Sequence, residues 1–234
     1  MTDLPALTEA TWPPAAARRL GPWTIRDGQG GGQRVSATTL HGPFADTDIE
    51  QAEAAMTALG QPALFQVWPG QTALDEALAA RGYRIKDPVI AYAAPVAALV
   101  DPDLPPLAAF AHWPPLGIAH AIWDEAGIGP ARRAVMGRVT GPKTAILGRT
   151  GDRAAGVAFA ACHGRSAMLH ALEVSPALRR QGTAHNIMRG AAAWAQDQGA
   201  ETLFLLVTEA NTAARNLYAF LGMQPVGEYH YRSK

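Results

Sequence analysis

The sequence lacks most of the features that mark an extracellular, membrane or nucleic-acid-binding chain. It carries a single cysteine, Cys162, among 234 residues, so no internal disulfide can form, which fits a reducing compartment. That cysteine ends the apolar run Ala158-Phe159-Ala160-Ala161-Cys162 and reads as a small buried hydrophobe rather than a nucleophile. Long apolar runs are missing: Val89 to Val100 covers 12 residues and contains Pro95, short of the ~18 a membrane helix needs. The start, Met1-Thr2-Asp3-Leu4-Pro5, has neither the basic region nor the apolar core of a secretory signal, so a cytoplasmic location is expected. An excess of one charge is also missing. Twenty basic side chains balance 20 acidic ones, and charged residues make up only 17% of the chain, which excludes a basic nucleic-acid binder and a disordered acidic tail.

What is present is apolar material, 48% of the residues, in a length that suits one large domain or two small ones. Proline marks the boundary. Pro95, Pro102, Pro105 and Pro106 cluster beside Asp101 and Asp103 in a stretch unable to continue a helix or a strand, which predicts a linker near residues 96–106. Before it, strand-like stretches at 23–26 and 33–39 flank Gly28-Gln29-Gly30-Gly31-Gly32, which reads as a flexible hairpin rather than a phosphate loop. A helix at 46–59, a strand at 63–68, a helix at 72–80 and a strand at 83–94 follow. After it come helical segments around 107–125 and 130–139 and strands at 144–149, 154–162 and 167–174. A helix at 182–198, a strand at 202–207, a helix at 212–221 and a last strand near 226–232 complete the chain. Both halves are mixed α/β.

The halves echo one another. At a constant offset of 140, Leu64-Phe65-Gln66-Val67 lies under Phe204-Leu205-Leu206-Val207, and Arg81-Gly82-Tyr83 under Leu221-Gly222-Met223. Each side reads strand, loop, helix, glycine, strand, the order expected of an internal duplication.

The segment 168–184 concentrates the chemistry. An apolar strand ends at Val174, Ser175-Pro176 turns the chain, and Arg179-Arg180-Gln181-Gly182-Thr183-Ala184 opens a helix. A helix start offers unpaired N–H groups and the positive end of the dipole. Glycine lets a diphosphate approach the backbone, and two arginines add donors and charge. It is neither a P-loop nor a Rossmann turn. Some 30 residues on, Asn211, Ala214, Leu217, Tyr218 and Gly222 follow the next strand, with Asn211 at a helix start and Tyr218 two turns along.

Arg179-x-x-Gly182-x-Ala184 after a strand, followed by Asn211-x-x-Ala-x-x-Leu-Tyr218-x-x-x-Gly, resembles the GNAT N-acetyltransferase superfamily over residues 107–234. The resemblance implies an α/β (α+β) GNAT acyl-CoA N-acyltransferase fold, a mixed central sheet flanked by helices, preceded by a partial GNAT-like domain. It implies acetyl-CoA as cosubstrate and an amine acceptor as partner, with no metal, nucleic acid or membrane. The backbone of Leu172, Glu173 and Val174 would pair with the pantetheine, and Arg179 to Ala184, including Gln181 and Thr183, would hold the pyrophosphate. Asn211 would contact the cofactor, and Tyr218 would be the general acid.

The reaction implied is direct attack of an amine on a thioester. Freeing the lone pair of a lysine-like amine at pH 7 costs roughly 4 to 5 kcal/mol, whereas an α-amino group costs about 1 to 1.5, so a basic acceptor wants a general base. Leu206 stands where certain members carry a glutamate, so that role must move or vanish. His170 and Glu173 are the nearest candidates. In a regular strand they point to opposite faces, and only a bulge could unite them. His170 reads as a core histidine and Glu173 as the base or water-orienting group, with Glu209 a loop alternative.

In residues 1–100 the counterparts of Asn211 and Tyr218 are Gln71 and Leu78, and 39–44 replaces the arginine loop, so this half is expected to be a degenerate, non-catalytic copy. The acceptor pocket is expected to involve 113–133, where Trp123, Asp124, Glu125, Arg132 and Arg133 offer polar groups. The competing reading is a non-catalytic acyl-CoA-binding module.

Overall fold

The computed structural model describes residues 2–234. The first half runs α1 (Leu4–Thr11), β1 (Ala16–Leu20), β2 (Trp23–Asp27), α2 (Gln33–Ser36), β3 (Thr38–Leu40), α3 (Asp46–Ala58), β4 (Leu64–Val67), α4 (Thr72–Ala80) and β5 (Arg84–Pro95). The second runs α5 (Val96–Leu99), β6 (Ala109–His112), α6 (Gly117–Glu125), α7 (Pro130–Arg138), β7 (Lys143–Thr150), β8 (Arg153–His163) and β9 (Ser166–Val174). It ends with α8 (Thr183–Asp197), β10 (Thr202–Thr208), α9 (Thr212–Phe220) and β11 (Gln224–Ser233).

All 11 strands join one mixed sheet in the order β1-β2-β3-β4-β11-β5-β10-β9-β8-β7-β6. The centre is interlocked, because the last strand of each half lies against the other half. β11 pairs with β4 and β5 with β10, both antiparallel, and β5 and β11 pair with each other. The two outer pairings have equivalent registers. His230 opposes Val67, and a shift of 140 in opposite directions gives Ile90 against Val207, which is the observed pair.

Side-chain alternation sorts the helices by face. Leu205 and Val207 of β10 turn toward α8 and α9, and Phe65 and Val67 of β4 toward α3 and α4. Phe204 and Leu206 turn to the other face, where α1 packs through Leu4 and Leu7. α6 and α7 cover β7 and β8 on that second face through Trp123, Val135 and Met136. Glycine sets how closely α8 approaches the sheet: a Cβ at Gly148 would come within 2.6 Å of Ile187, and one at Gly190 within 2.9 Å of Ala109. Cys162 is buried in the core, and burial pushes its thiol up to about 11, in keeping with a packing role.

Three local expectations change. Residues 33–39 are not a continuous strand, since the one-turn α2 precedes the short β3. The glycine loop is no flexible hairpin. A Cβ at Gly31 would meet Val135 at 2.6 Å, so the loop is packed against α7. The stretch from 107 begins as an edge strand, β6, because Pro105, Pro106, Pro114 and Pro115 prevent the chain from coiling until Gly117. α1 and β1 were not evident in the sequence, nor was α5, which lies within the expected linker at 96–106. No described helix is long and apolar enough to cross a membrane.

Because β5 lies between β10 and β11, a chain beginning at residue 107 would expose the hydrogen-bonding edge of β10 and leave β11 without either neighbour. Such a chain is expected to lose the single cooperative thermal transition of the full protein, measured by circular dichroism, and to aggregate.

Candidate functional site

β9 and β10 are parallel and hydrogen-bonded only from the Ser166–Thr202 pair to the Leu169–Leu205 pair. β9 continues to Val174 and β10 to Thr208, so the strands diverge beyond that point and the β10 side of residues 172–174 has no strand partner. On the other side, β8 follows β9 to its end, with one irregularity. Phe159 opposes His170 and Val157 opposes Glu173, so Ala158 faces two residues, and Ala171 takes a left-handed φ of 50°. This is a β-bulge. The extra residue rotates Glu173 onto the face that already carries His170. The indole Nε1 of Trp123, fully buried on α6, donates to the Ala171 carbonyl at 2.9 Å and holds the bulge from that face.

The chain then makes a 3-10 turn at Pro176–Leu178, and Arg180 and Gly182 adopt left-handed φ values of 62° and 82° before α8 begins. Left-handed residues in such a run turn successive N–H groups toward one concavity, here at the positive end of a 15-residue helix. Arg179 Nε donates to the Val174 carbonyl at 3.1 Å, tying the loop to the strand end. Among the described residues neither Arg179 nor Arg180 has an ion-pair partner.

A cleft of about 660 Å³ opens between these elements and α9. Of the residues singled out by sequence, Leu172, Glu173, Val174, Arg179, Arg180, Gly182, Thr183, Ala184 and Asn211 line it, while Gln181 does not. The Asn211 side chain caps α9 by accepting from the Ala214 N–H at 3.1 Å. Its amide nitrogen is left for the cleft. Tyr218 sits behind the wall, 6% exposed and packed against Tyr92. Burial raises its phenol above the usual value, and the charge of Glu173 adds to that. Sequence reasoning missed Ala213, Asn216 and Phe220, which line the cleft from α9, and His185. The spacing of 213, 216, 217 and 220 along one helix face was the available signal.

Glu173 is pushed above the usual carboxylate range by burial, with Arg179 and Arg132 pulling the other way. His170 is 3% exposed and stacks on Trp12 at 4.9 Å. Its Nε2 bonds Thr11 Oγ1 at 3.0 Å, and Nδ1 accepts from Arg34 at 3.2 Å. Burial, then Arg34 and Arg132, hold its pKa well below that of a free imidazole, so it stays neutral. It is a satisfied core histidine, as its strand neighbours indicate. Leu206 packs in the apolar clusters under α1 and β11 and offers no base. Trp123 is a core residue rather than a pocket residue, and Arg133 is held by Asp124 and the Ile128 carbonyl. Among the described residues no group of three or more His, Cys, Asp or Glu could hold a metal ion.

Comparison with known proteins gives concordant matches. Residues 117–223 match the sequence profile of the Acetyltransferase (GNAT) family. An uncharacterized N-acetyltransferase, YobR, of Bacillus subtilis (strain 168) is 25% identical over 239 residues, covering 97% of this chain and 96% of that protein. The GCN5-related N-acetyltransferase from Kribbella flavida superposes with a TM-score of 0.74 at 18% identity, over 99% of this chain and 94% of that one. A tandem GNAT protein from the clavulanic acid biosynthesis pathway superposes with a TM-score of 0.61 at 12% identity, over 94% of this chain and 84% of that one. The solved structures share the fold, a mixed sheet flanked by helices.

The bulge gives a direct test. Trp123→Phe keeps the packing but removes the donor, leaving the Ala171 carbonyl unpaired at a cost of about 1–3 kcal/mol. The variant is expected to melt at a lower temperature than the parent protein in scanning calorimetry.

Proposed function

We propose, from the premise that this chain belongs through residues 117–223 to the acetyltransferase (GNAT) family, that this acyltransferase takes its acyl group from acetyl-CoA and delivers it to a primary amine. The observation that carries the proposal is the divergence of β9 from β10 directly above the arginine loop, with Glu173 in the wall of the cleft that opens there. The fit of an acyl-CoA to the cleft rests on three features: an unpaired strand edge at 172–174, a concavity of N–H groups, and two arginines without carboxylates. Leu172, Glu173 and Val174 would hydrogen-bond the pantetheine as an added strand. Arg179, Arg180, Gly182, Thr183 and Ala184 would hold the pyrophosphate, and Asn211 would contact the pantetheine arm.

The cosubstrate supplies an activated thioester, and the chain's residues handle protons and position. Glu173 accepts a proton from the incoming ammonium, directly or through a water, and its raised pKa narrows the gap to the amine. Tyr218 donates to the departing sulfur. A phenol raised by burial gives up its proton reluctantly, so its main contribution is a hydrogen bond to the developing thiolate, completed by proton transfer as the thiol leaves.

The domain organisation belongs to the same proposal. Residues 1–100 would be a degenerate, non-catalytic copy and residues 107–234 the catalytic domain. The exchanged strands with equivalent registers support a duplication. Gln71, at the Asn211 position, is occupied within its own half, accepting from the Trp68 N–H at 2.9 Å and donating to the Leu40 carbonyl at 3.3 Å.

Titration with acetyl-CoA should show saturable binding, and thiol release should appear with at least one amine; binding without release on any amine identifies a non-catalytic module instead. Tyr218→Phe should lower kcat by about 10²-fold with cofactor affinity little changed. Unaltered turnover removes Tyr218 from the reaction. For Glu173 the sign follows from its raised pKa: the base form is lost as pH falls through a value above the ordinary carboxylate range. Glu173→Gln should therefore lower kcat/KM at neutral pH and abolish that acid limb. A profile of the same shape in the variant assigns the base elsewhere.

A further inference from the structure

On the face of the sheet that α1 covers, the first half holds a second cavity, of about 470 Å³, which shares no lining residue with the cleft at the arginine loop. Its wall is drawn from α1, β2, α2, β3 and β4, and its size suits a small molecule. Trp12 of α1 and Trp68, just beyond β4, give it aromatic sides, to which Pro5, Pro14 and Leu40 add apolar surface.

Three polar groups in this wall lack the partners that buried polar groups ordinarily have. The first is Gln66, which is 7% exposed. Its backbone is held on both sides, opposite Thr39 of β3 and Tyr231 of β11, and its side chain turns away from the layer of α3 and α4 that covers Phe65 and Val67. The amide makes no hydrogen bond with a described residue. Gln61 shows the ordinary case, accepting from the Gly28 N–H and donating to the Arg26 carbonyl, both at 2.7 Å. Nor does the fold call for a polar residue at 66. At the offset of 140 its counterpart is Leu206, which packs among apolar side chains.

The second group is Arg34, with which no described carboxylate pairs. Its Nη1 donates to His170 Nδ1 at 3.2 Å, and Nε has neither a partner nor contact with solvent. A neutral imidazole satisfies a proton but leaves the charge uncompensated. Arg26, in the same wall, shows the contrast: it donates to Glu9 at 2.8 Å and to the Ala37 carbonyl and the Thr39 hydroxyl at 3.0 Å. The third group is the indole N–H of Trp12. That side chain is 3% exposed, and its N–H makes no hydrogen bond with a described residue, unlike those of Trp23 and Trp123. His170 ties the wall together, since it stacks on Trp12 at 4.9 Å and accepts from Arg34.

We propose that this cavity is a second ligand site, separate from the acyl-CoA cleft, for a small carboxylic acid with an aromatic body. Arg34 takes the carboxylate as a guanidinium fork, Gln66 and the Trp12 N–H add hydrogen bonds, and the indoles of Trp12 and Trp68 hold the ring. One unpaired cation matches one negative charge. A phosphate monoester carries nearly two, and two carboxylates in the same wall oppose it: Glu9, already paired with Arg26, and Asp3, which is exposed and caps α1 by accepting from the Ala6 N–H at 3.1 Å. The site uses no residue of the cleft, so it stands apart from the acetyl-transfer reading.

The test titrates benzoate, phenylacetate and 3-phenylpropionate, each beside its amide, and benzylphosphonate as the dianion, into the full-length protein by calorimetry, with and without saturating CoA. The expected result is saturable binding of at least one acid, about tenfold or more tighter than its amide and unchanged by CoA. Arg34→Gln should bring acid and amide to equal affinity. Gln66→Leu, which installs the side chain of the equivalent position in β10, should weaken the acid by about fivefold or more. Thermal melts report whether each variant is folded, and should Arg34→Gln fail to fold, Gln66→Leu decides. No saturable binding of any acid at millimolar concentration, equal affinity for acid and amide, displacement by CoA, tighter binding of benzylphosphonate, or an acid affinity unmoved in either folded variant overturns the proposal.

Discussion

The exchange of β5 and β11 across the middle of the sheet is the constraint on which the rest of the structure depends. Each strand completes the hydrogen bonding of the opposite half: β5 satisfies the edge of β10, and β11 satisfies the edge of β4. Asp75 of α4 then fixes β11 from the other end by accepting from Arg232, with His230 as a second partner, and these bonds hold its carboxyl down at about 2. β10 therefore has a rigid neighbour on one side along its whole length. On its other side it is bonded to β9 for only four residue pairs. The opening between β9 and β10 is confined to the ends of two strands whose other edges are paired, β9 with β8 and β10 with β5.

The bulge in β9 turns that opening into a site with two chemically different sides. Before it, residues alternate regularly between the helix-covered face and the face under α1. After it, Glu173 joins His170, and Leu172 and Val174 turn toward α8. The helix-covered side carries the N–H concavity, Arg179 and Arg180, and an acyl-CoA would lie there. The other side carries Glu173 and His170. A thioester held at the gap would meet its acceptor from that second side, through walls that both halves supply. Phenol and carboxylate are both desolvated, and each moves toward its neutral form, Tyr218 by holding its proton and Glu173 by accepting one more readily.

Much of this was legible in sequence because it depends on local chemistry. The arginine loop, the capping Asn211 and the strand 167–174 are set by residues within one turn or one strand of one another. Apart from α5 and β6, the helices and strands from 46 onward begin and end within a few residues of their expected places, save that the helix expected around 107 starts only at Gly117. What was not legible depends on contacts between distant segments. The bulge at Ala171 has no marker in Leu169-His170-Ala171-Leu172; it is specified by Trp123 and by Gly156, where a Cβ would come within 2.8 Å of the Glu173 carbonyl. The glycine loop at 28–32 looked mobile because composition cannot reveal that Val135, more than 100 residues away, needs the space. Arg34 fell within the strand expected at 33–39, and nothing local indicated its hydrogen bond to His170, 136 positions away.

These distant contacts bear on why a half without its own arginine loop persists. A spectator domain that merely covered a sheet edge could do so with any apolar surface, and desolvating a guanidinium there would be a pure cost. Here the first half supplies α1, which closes the second face over Phe204 and Leu206, and its Arg34 donates to the His170 side chain of the other half at 3.2 Å. The second face of the sheet is thus built by both halves.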